Sequence, residues 1–544
     1  MKLSKGITAG VGFVTLAALL AACGGSKNAT NDTNTWHRME GDVISTMDAS
    51  KNTDAISGQA LDDTMEGLYH YEGKELKPGL ATKVVTAGDN GLTYTYKLRN
   101  STWSDGTKVT ANDFVYAWQR TVDPKTKAQY AYLYSGIKNA DAIMAGKAKP
   151  STLGVKAVDD HTFEVTLEKP VPYFNTMMVN PAFFPQSQKA VAKYGAKYGT
   201  SSDHILTNGA YTLKGWNGTG NSWTEVKNPK YWNAKNIHIN TIKTQVVKDS
   251  STAMNLYNSK KLDQVTLSGQ QAASARSNKD YRALKQSSVF YLELNEKKIP
   301  AFKNAKIRQA ISYALDRDSY IKKVLNNGSL NAHVVTPAGL MSKPDDPNTD
   351  FAAVAAKDTK QYTDYDPAKA KSLFKQGLKE AGVSSLKVEL MTDDTDNAKT
   401  TAEYLQNALS TNLPGLKVTT ATVPFKTRLT RSSEGQFDMV ITAWGADFPD
   451  AISFLDLFTS NNSYNDGKWS NPQYDALIAK SKGADANDPN KRWNDLLQAQ
   501  NILTKDMGVV PIYQRVLTTL QRPNISGLTY SPANSFNYTG AKLK

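Results

Sequence analysis

Leu92, Tyr94, Tyr96 and Leu98 alternate with Thr93, Thr95, Lys97 and Arg99, and this period of two predicts a half-buried strand. A second alternating run, from His161 to Leu167, predicts another. Between them Ser104-Asp105-Gly106 reads as a turn. Thr110, with Asp113 three residues on, reads as a capping box that opens a helix carrying Phe114, Val115 and Trp118. Farther along, Ile307, Ala310, Ile311, Ala314 and Leu315 fall on one apolar helix face. Asp366-Pro367 reads as an N-cap and first helical residue; Ala370, Leu373, Phe374 and Leu378 follow, and Gly382 closes the helix. Phe437 to Ile441 predicts a short buried strand that ends in the loop Thr442-Ala443-Trp444-Gly445-Ala446-Asp447. Strands and helices intermix, so the class is α/β or α+β. No internal repeat is visible.

Length and composition change this picture in two ways. At 544 residues the chain exceeds the size at which one hydrophobic core stops growing, so at least two lobes are expected. Hydrophobic residues at 40% and charged residues at 21% fit a folded globular protein rather than long disorder. The 9 Trp and 26 Tyr serve either a core or the lining of a cleft.

The N-terminus supplies an address. Lys2 and Lys5 precede an uncharged stretch from Ile7 to Leu20 that is too short for an ordinary transmembrane helix, which reads as a secretion signal over residues 1–22. Leu20-Ala21-Ala22-Cys23 resembles the lipobox of bacterial lipoproteins, which implies lipidation of Cys23 after cleavage. Cys23 is the only Cys, so no intrachain disulfide can form. Small polar residues follow, and 23–36 is expected to be a flexible tether. The formal charge is +14; losing Lys2 and Lys5 with the signal leaves +12. No run of five basic residues occurs, so the charge reads as a solvated surface rather than a nucleic-acid footprint.

The chain lacks the patterns of chemistry. There is no Gly-x-Ser-x-Gly elbow, no His-Glu-x-x-His and no P-loop. His37, His70, His161, His204, His238 and His333 are scattered, with no pair at ligand spacing on a helix. Asp393-Asp394-Thr395-Asp396 lacks the Gly and Glu of a calcium loop and reads as a solvated turn. No catalytic residue, metal or cofactor is expected, and the chain is not expected to be an enzyme.

Several segments, in order, resemble the substrate-binding proteins of oligopeptide importers (solute-binding protein family 5, oligopeptide-binding type). They are Thr102 to Thr107 with Thr110 to Trp118, Asp159 to Val165, Thr207 to Tyr211, Asn228 to Trp232, Ile307 to Asp316 and Phe437 to Val440. The resemblance implies an α/β, two-lobe periplasmic-binding-protein-like clamp (type II, cluster C) with an additional domain inserted in the first lobe. The implied parts are lobe one at 37–64, 196–296 and 516–544, the inserted domain at 65–195, and lobe two at 297–515. It implies capture of oligopeptides and their delivery to an ABC permease and ATPase complex by a monomer held on the outer face of the cell membrane. In this family an Asp in the Trp-x-x-Asp loop receives the peptide amine, which implies Asp447 with Trp444, Gly445 and Ala446. Without the resemblance, a carboxylate capping a local N–H would explain Asp447. Tyr130 resembles a Tyr that reaches the ligand from the inserted domain, and Asp42 to Ile44 matches an early strand whose backbone pairs with the peptide. Some relatives carry an Arg near the end of the Phe437 strand, for the carboxylate of short peptides; here the stretch is Val440-Ile441-Thr442, and sequence alone does not bring Arg428 or Arg431 into the cleft. A signalling-peptide receptor, or a binder of a nickel complex or haem, is the alternative within the resemblance.

Overall fold

The computed structural model describes residues 34–531 and 535–544, so the signal sequence, Cys23 and most of the expected tether lie outside the described residues. The described chain begins with strand β1 (Thr35–Glu40). Thr35 and Trp36, expected at the end of the tether, are its first residues. The reason is burial: Trp36 is fully enclosed among Tyr211, Ile237 and Ile242, and this apolar contact outweighs the polar composition around it.

Helix α1 (Ala55–Thr64) leads into the inserted body. There β2 (Thr93–Lys97), helix α2 (Ala111–Val122), β3 (Val155–Asp159) and β4 (Thr162–Thr166) form an antiparallel sheet of order β2-β4-β3 with α2 packed on it. The Thr110 N–H donates to Asp113 Oδ2 at 2.8 Å, the reciprocal half of the expected capping box. The apolar face of α2 then meets Phe163: Phe114 at 5.3 Å between rings and Trp118 edge-on at 5.0 Å.

The chain returns through β5 (Tyr211–Lys214), β6 (Ser222–Lys227), β7 (Thr241–Val246), β8 (Gln264–Thr266) and the long β9 (Tyr281–Leu294). The second lobe contains α3 (Ala305–Tyr313), α4 (Pro367–Glu380), β10 (Leu386–Asp393), α5 (Asp396–Asn412), β11 (Leu416–Val423), α6 (Phe425–Ser433), β12 (Met439–Gly445) and α7 (Pro489–Asp506). Strand β13 (Val510–Gln521) runs back to the first lobe. In α4, Asp366 caps the Lys369 N–H at 2.9 Å, and past the helix end Gly382 takes the left-handed φ of +71°. Gly377 lets α4 lie close on α3, where a Cβ would come within 2.6 Å of Ile307 Cγ1.

One sheet of order β11-β10-β12-β9-β13-β8-β1-β7-β6-β5 runs through both lobes. Strands β9 and β13 cross between its halves. Tyr281 to Lys285 of β9 pair with Leu520 to Val516 of β13, the register breaks between Lys285 and Val289, and Ser288 to Leu294 pair with Gly445 to Met439 of β12. The expected boundary after residue 296 put all of β9 in lobe one; the pairing puts its second half with lobe two, because the long strand carries the sheet from one lobe to the other. The same pairing corrects the loop expected from Thr442: β12 continues to Gly445 because β9 offers partners as far as Ser288.

Candidate functional site

Along β12 the side chains of Val440, Thr442 and Trp444 share one face, opposite Glu293, Tyr291 and Val289 of β9. Met439 and Ile441 turn to the other face, into the core beneath α3, α4 and α5. Thus the strand delivers Trp444 outward from lobe two while its neighbours anchor it. Gly445 is exposed at the strand end. The Ala446 N–H donates to the Ser287 carbonyl at 2.7 Å, tying the following loop to the crossing strand.

Asp447 comes next and is 8% exposed. Its own N–H donates to Ser453 Oγ at 2.9 Å, and Ser453 Oγ–H reaches Oδ2 at 3.4 Å. Oδ1 accepts from the Tyr130 hydroxyl at 2.8 Å and from Asn180 Nδ2 at 2.9 Å, both on the inserted body. The Trp444 indole N–H lies toward the same carboxyl without closing a hydrogen bond of good geometry. Burial pushes the Asp447 carboxyl up to about 7, against the pull of the Tyr130, Ser453 and Asn180 donors. Among the described residues no Lys, Arg or His forms an ion pair with it. This is a buried carboxylate with neutral donors and no opposing charge, an arrangement that a cation would relieve.

Aromatic rings from both bodies surround it. Trp444 lies 5.8 Å from Tyr130 and 4.6 Å, edge-on, from Tyr464, and Tyr132 lies 6.1 Å from Tyr130. The bodies also meet where Tyr173 stacks on Phe448 at 4.8 Å and where Ser463 Oγ donates to the Gln129 carbonyl at 2.8 Å. Beside this contact a cavity of about 670 Å³ opens between Gln129, Tyr132 and Met144 on one side and Asn462, Ser463 and Lys482 on the other.

Tyr130, Trp444, Gly445, Ala446 and Asp447 therefore come together. Asn180 joins them and was not foreseen. Its Oδ1 accepts from the Ala182 N–H at 2.9 Å, which orients the amide toward Asp447; Asn-Pro in the sequence signals that turn but not the contact. Asp42 pairs with Lys248 instead, and Ile44 belongs to the same buried apolar cluster as Trp444 and Ala446. The early strand expected over Asp42 to Ile44 is corrected: β1 stops at Glu40, and Asp42 turns Oδ1 onto the Val43 N–H at 2.8 Å. Ile44 is fully buried. Asp42 Oδ2 meets Lys248 at 2.9 Å, and Lys248 reaches across to Asp394 of lobe two at 2.6 Å. The Asp393 to Asp396 stretch is therefore paired rather than a solvated turn: Asp396 Oδ2 also accepts from the Ser250 N–H at 2.8 Å. Arg428, left unplaced by the sequence, is 8% exposed and holds Asp393 at 3.0 Å and Thr442 Oγ1 at 3.3 Å. Arg431 turns away to Glu389 at 2.9 Å. Cys23 lies outside the described residues.

Comparison with known proteins gives this arrangement a context. The profile of the bacterial extracellular solute-binding proteins, family 5 Middle, matches residues 75–466. The dipeptide-binding protein of Lactococcus lactis subsp. cremoris is 37% identical over 98% of this chain and 99% of its own length. The structure of Listeria monocytogenes OppA bound to peptide superposes with a TM-score of 0.89 at 39% identity, covering 94% of this chain and 99% of that one. The Escherichia coli murein tripeptide binding protein MppA matches at 0.83 with 28% identity, covering 94% and 98%, whereas an unliganded open form of MppA matches at 0.60 with 29% identity, covering 94% and 97%. The lobes here are thus arranged unlike that open form, in keeping with the contacts between the two bodies at Asp447.

Proposed function

Because the chain belongs to the bacterial extracellular solute-binding proteins of family 5, we propose that it is the substrate-binding subunit of an ABC importer, closing on short peptides and receiving their α-ammonium at Asp447. The observation that carries the reading is the buried, cation-free carboxylate at the seam between two bodies. A peptide of any sequence brings an α-ammonium, and that charge completes what Tyr130, Asn180 and Ser453 leave incomplete. The exposed end of β12 offers backbone for an extended ligand to pair with, so affinity can come from groups common to all peptides. Closure excludes water and strengthens the ammonium–carboxylate contact.

Relatives are named for binding, and we read this chain as a carrier without turnover. The finer parts of the reading are a lipid on Cys23, a tether to the outer face of the membrane, a monomeric body and transfer of the peptide to a permease and ATPase complex. The inserted domain at 65–195 would close against lobe two. Mass spectrometry of molecules retained after mild purification tests the central claim: peptides support it, while a metal chelate or haem as the retained species, or turnover of an added substrate, rejects it. Metabolic acyl labelling tests the anchor; Cys23→Ala should abolish the label, and label that persists places the lipid elsewhere.

A further inference from the structure

The positive charge of the chain is not spread evenly over its surface. Residues 251–285 contain six cations, Lys260, Lys261, Arg276, Lys279, Arg282 and Lys285, and all six are exposed. The same stretch contains two acids, and both are engaged within the fold. Asp280 is 5% exposed and accepts from the Tyr257 hydroxyl at 2.5 Å; Asp263 accepts from the His37 N–H at 2.9 Å. Contacts through Tyr257 draw the cations together. Its carbonyl receives the Lys260 N–H at 3.0 Å and the Arg522 guanidinium, which also lies 4.0 Å over its ring. Its hydroxyl holds the residue after Lys279, and Arg282 turns back onto the Lys279 carbonyl at 3.0 Å. Two exposed acids on flanking elements are engaged as well: Asp249 caps the Thr252 N–H at 2.6 Å, at the opposite end of the helix Ser250–Asn258, and Asp318 accepts from Asn331 at 3.2 Å.

This face adjoins the point where the N-terminal segment enters the fold. The Asp263 N–H donates to the His37 carbonyl at 2.8 Å, and His37 lies only two residues, about 7 Å, into β1. Thr35 in turn follows Cys23 by twelve residues, a reach of at most about 40 Å. We infer that the face around Lys260, Lys261, Lys279 and Arg282 docks on an anionic lipid surface, the headgroups of the membrane that holds the anchor. This deepens the lipid-anchor reading and rests on it. Anionic headgroups supply the countercharge that the fold leaves out, and their pull acts within one Debye length, about 8 Å in physiological salt. The short link from Cys23 keeps the face within range of the bilayer and raises its effective concentration there. A chain that enters from the membrane beside its own basic face favours lipid over a soluble polyanion as the partner.

Co-sedimentation of the chain from Gly24 onward, which contains every described residue and carries no acyl group, tests the face alone. In low salt it should bind vesicles of equal parts phosphatidylglycerol and phosphatidylcholine and ignore pure phosphatidylcholine, and about 0.5 M salt should release it. Lys260→Gln, Lys261→Gln, Lys279→Gln and Arg282→Gln combined should weaken binding about tenfold or more. As a control, Lys371→Gln, Lys375→Gln, Lys379→Gln and Lys387→Gln combined, all exposed on α4 and β10, should change it by about twofold at most. Lys260→Arg, Lys261→Arg and Lys279→Arg combined keep the charge and should keep the binding. Equal binding to both kinds of vesicle, indifference to salt, equal losses in the two Gln variants or a loss in the Arg variant overturns the inference. So does capture of the chain by soluble polyglycerol phosphate with no retention on vesicles, which makes the partner a wall polymer. Acyl label on Cys23 without vesicle binding rejects the face and leaves the anchor; vesicle binding without acyl label rejects the anchor and leaves the face.

Discussion

Asp447 and Asp450 sit three residues apart in one loop, and each is 8% exposed, yet they are built in opposite ways. Asp450 is gripped by Arg492 through two hydrogen bonds of 2.8 Å, and its Oδ1 also caps the Ile452 N–H at 2.9 Å. Arg492 in turn lies 5.1 Å from the Tyr173 ring. Every charge there has its partner inside the protein, so the group holds the inserted body against lobe two. Asp447 has neutral donors alone. Burying a carboxylate costs the same solvation in either case, and on the function we propose the missing cation at Asp447 is the ammonium of a ligand. Neighbouring carboxylates of equal burial are told apart by their partners.

The largest break in this contrast should come from Arg492→Met. It strands Asp450 as an unpaired buried charge and should lower unfolding free energy by about 3–5 kcal/mol, read from urea denaturation. Asp447→Asn should do the reverse. It removes an uncompensated buried charge, so ligand-free stability should change by no more than about 1 kcal/mol, while peptide affinity should fall by about 2–5 kcal/mol in calorimetry.

The pH dependence sharpens the same difference. Asp447 titrates at about 7 in the folded protein and near 3.8 when unfolded, so between these values the native state holds a proton that the unfolded chain has lost. Its contribution to stability is full below pH 3.8 and is lost as pH rises through about 7. In thermal melts from pH 4 to 8, the difference between the protein and Asp447→Asn should isolate that slope. Peptide affinity should run the other way, falling as acid neutralises the carboxylate that pairs with the ammonium. The smallest effect should be that of Tyr130→Phe, which removes one donor from Oδ1 and should shift affinity by about 1 kcal/mol.

Where local rules dominate, the sequence was legible. The Thr110–Asp113 box, the Asp366 cap with Gly382, and the apolar face of α3 depend on neighbours within a few residues, and each appears as the periodicity predicts. That Tyr130 would lie beside Trp444 and Asp447 could be expected only from the resemblance, since nothing local to residue 130 announces a carboxylate 317 positions away. Asn180 was illegible for the same reason: its contact exists only once the inserted body docks on lobe two. Trp36 and the second half of β12 were misread because tertiary partners, a buried cluster for one and the long β9 for the other, override polar or loop-like local composition. The Asp393 to Asp396 stretch looked solvated because its cation, Lys248, comes from the other lobe.

The most direct test crosses the carboxylate with the charge it is said to receive. Calorimetry of one peptide, with a free and with an acetylated N-terminus, on the protein and on Asp447→Ala, should show a large loss for the free peptide and little change for the acetylated one. Equal losses for both would contradict the role assigned to Asp447 and leave it a structural carboxylate like Asp450.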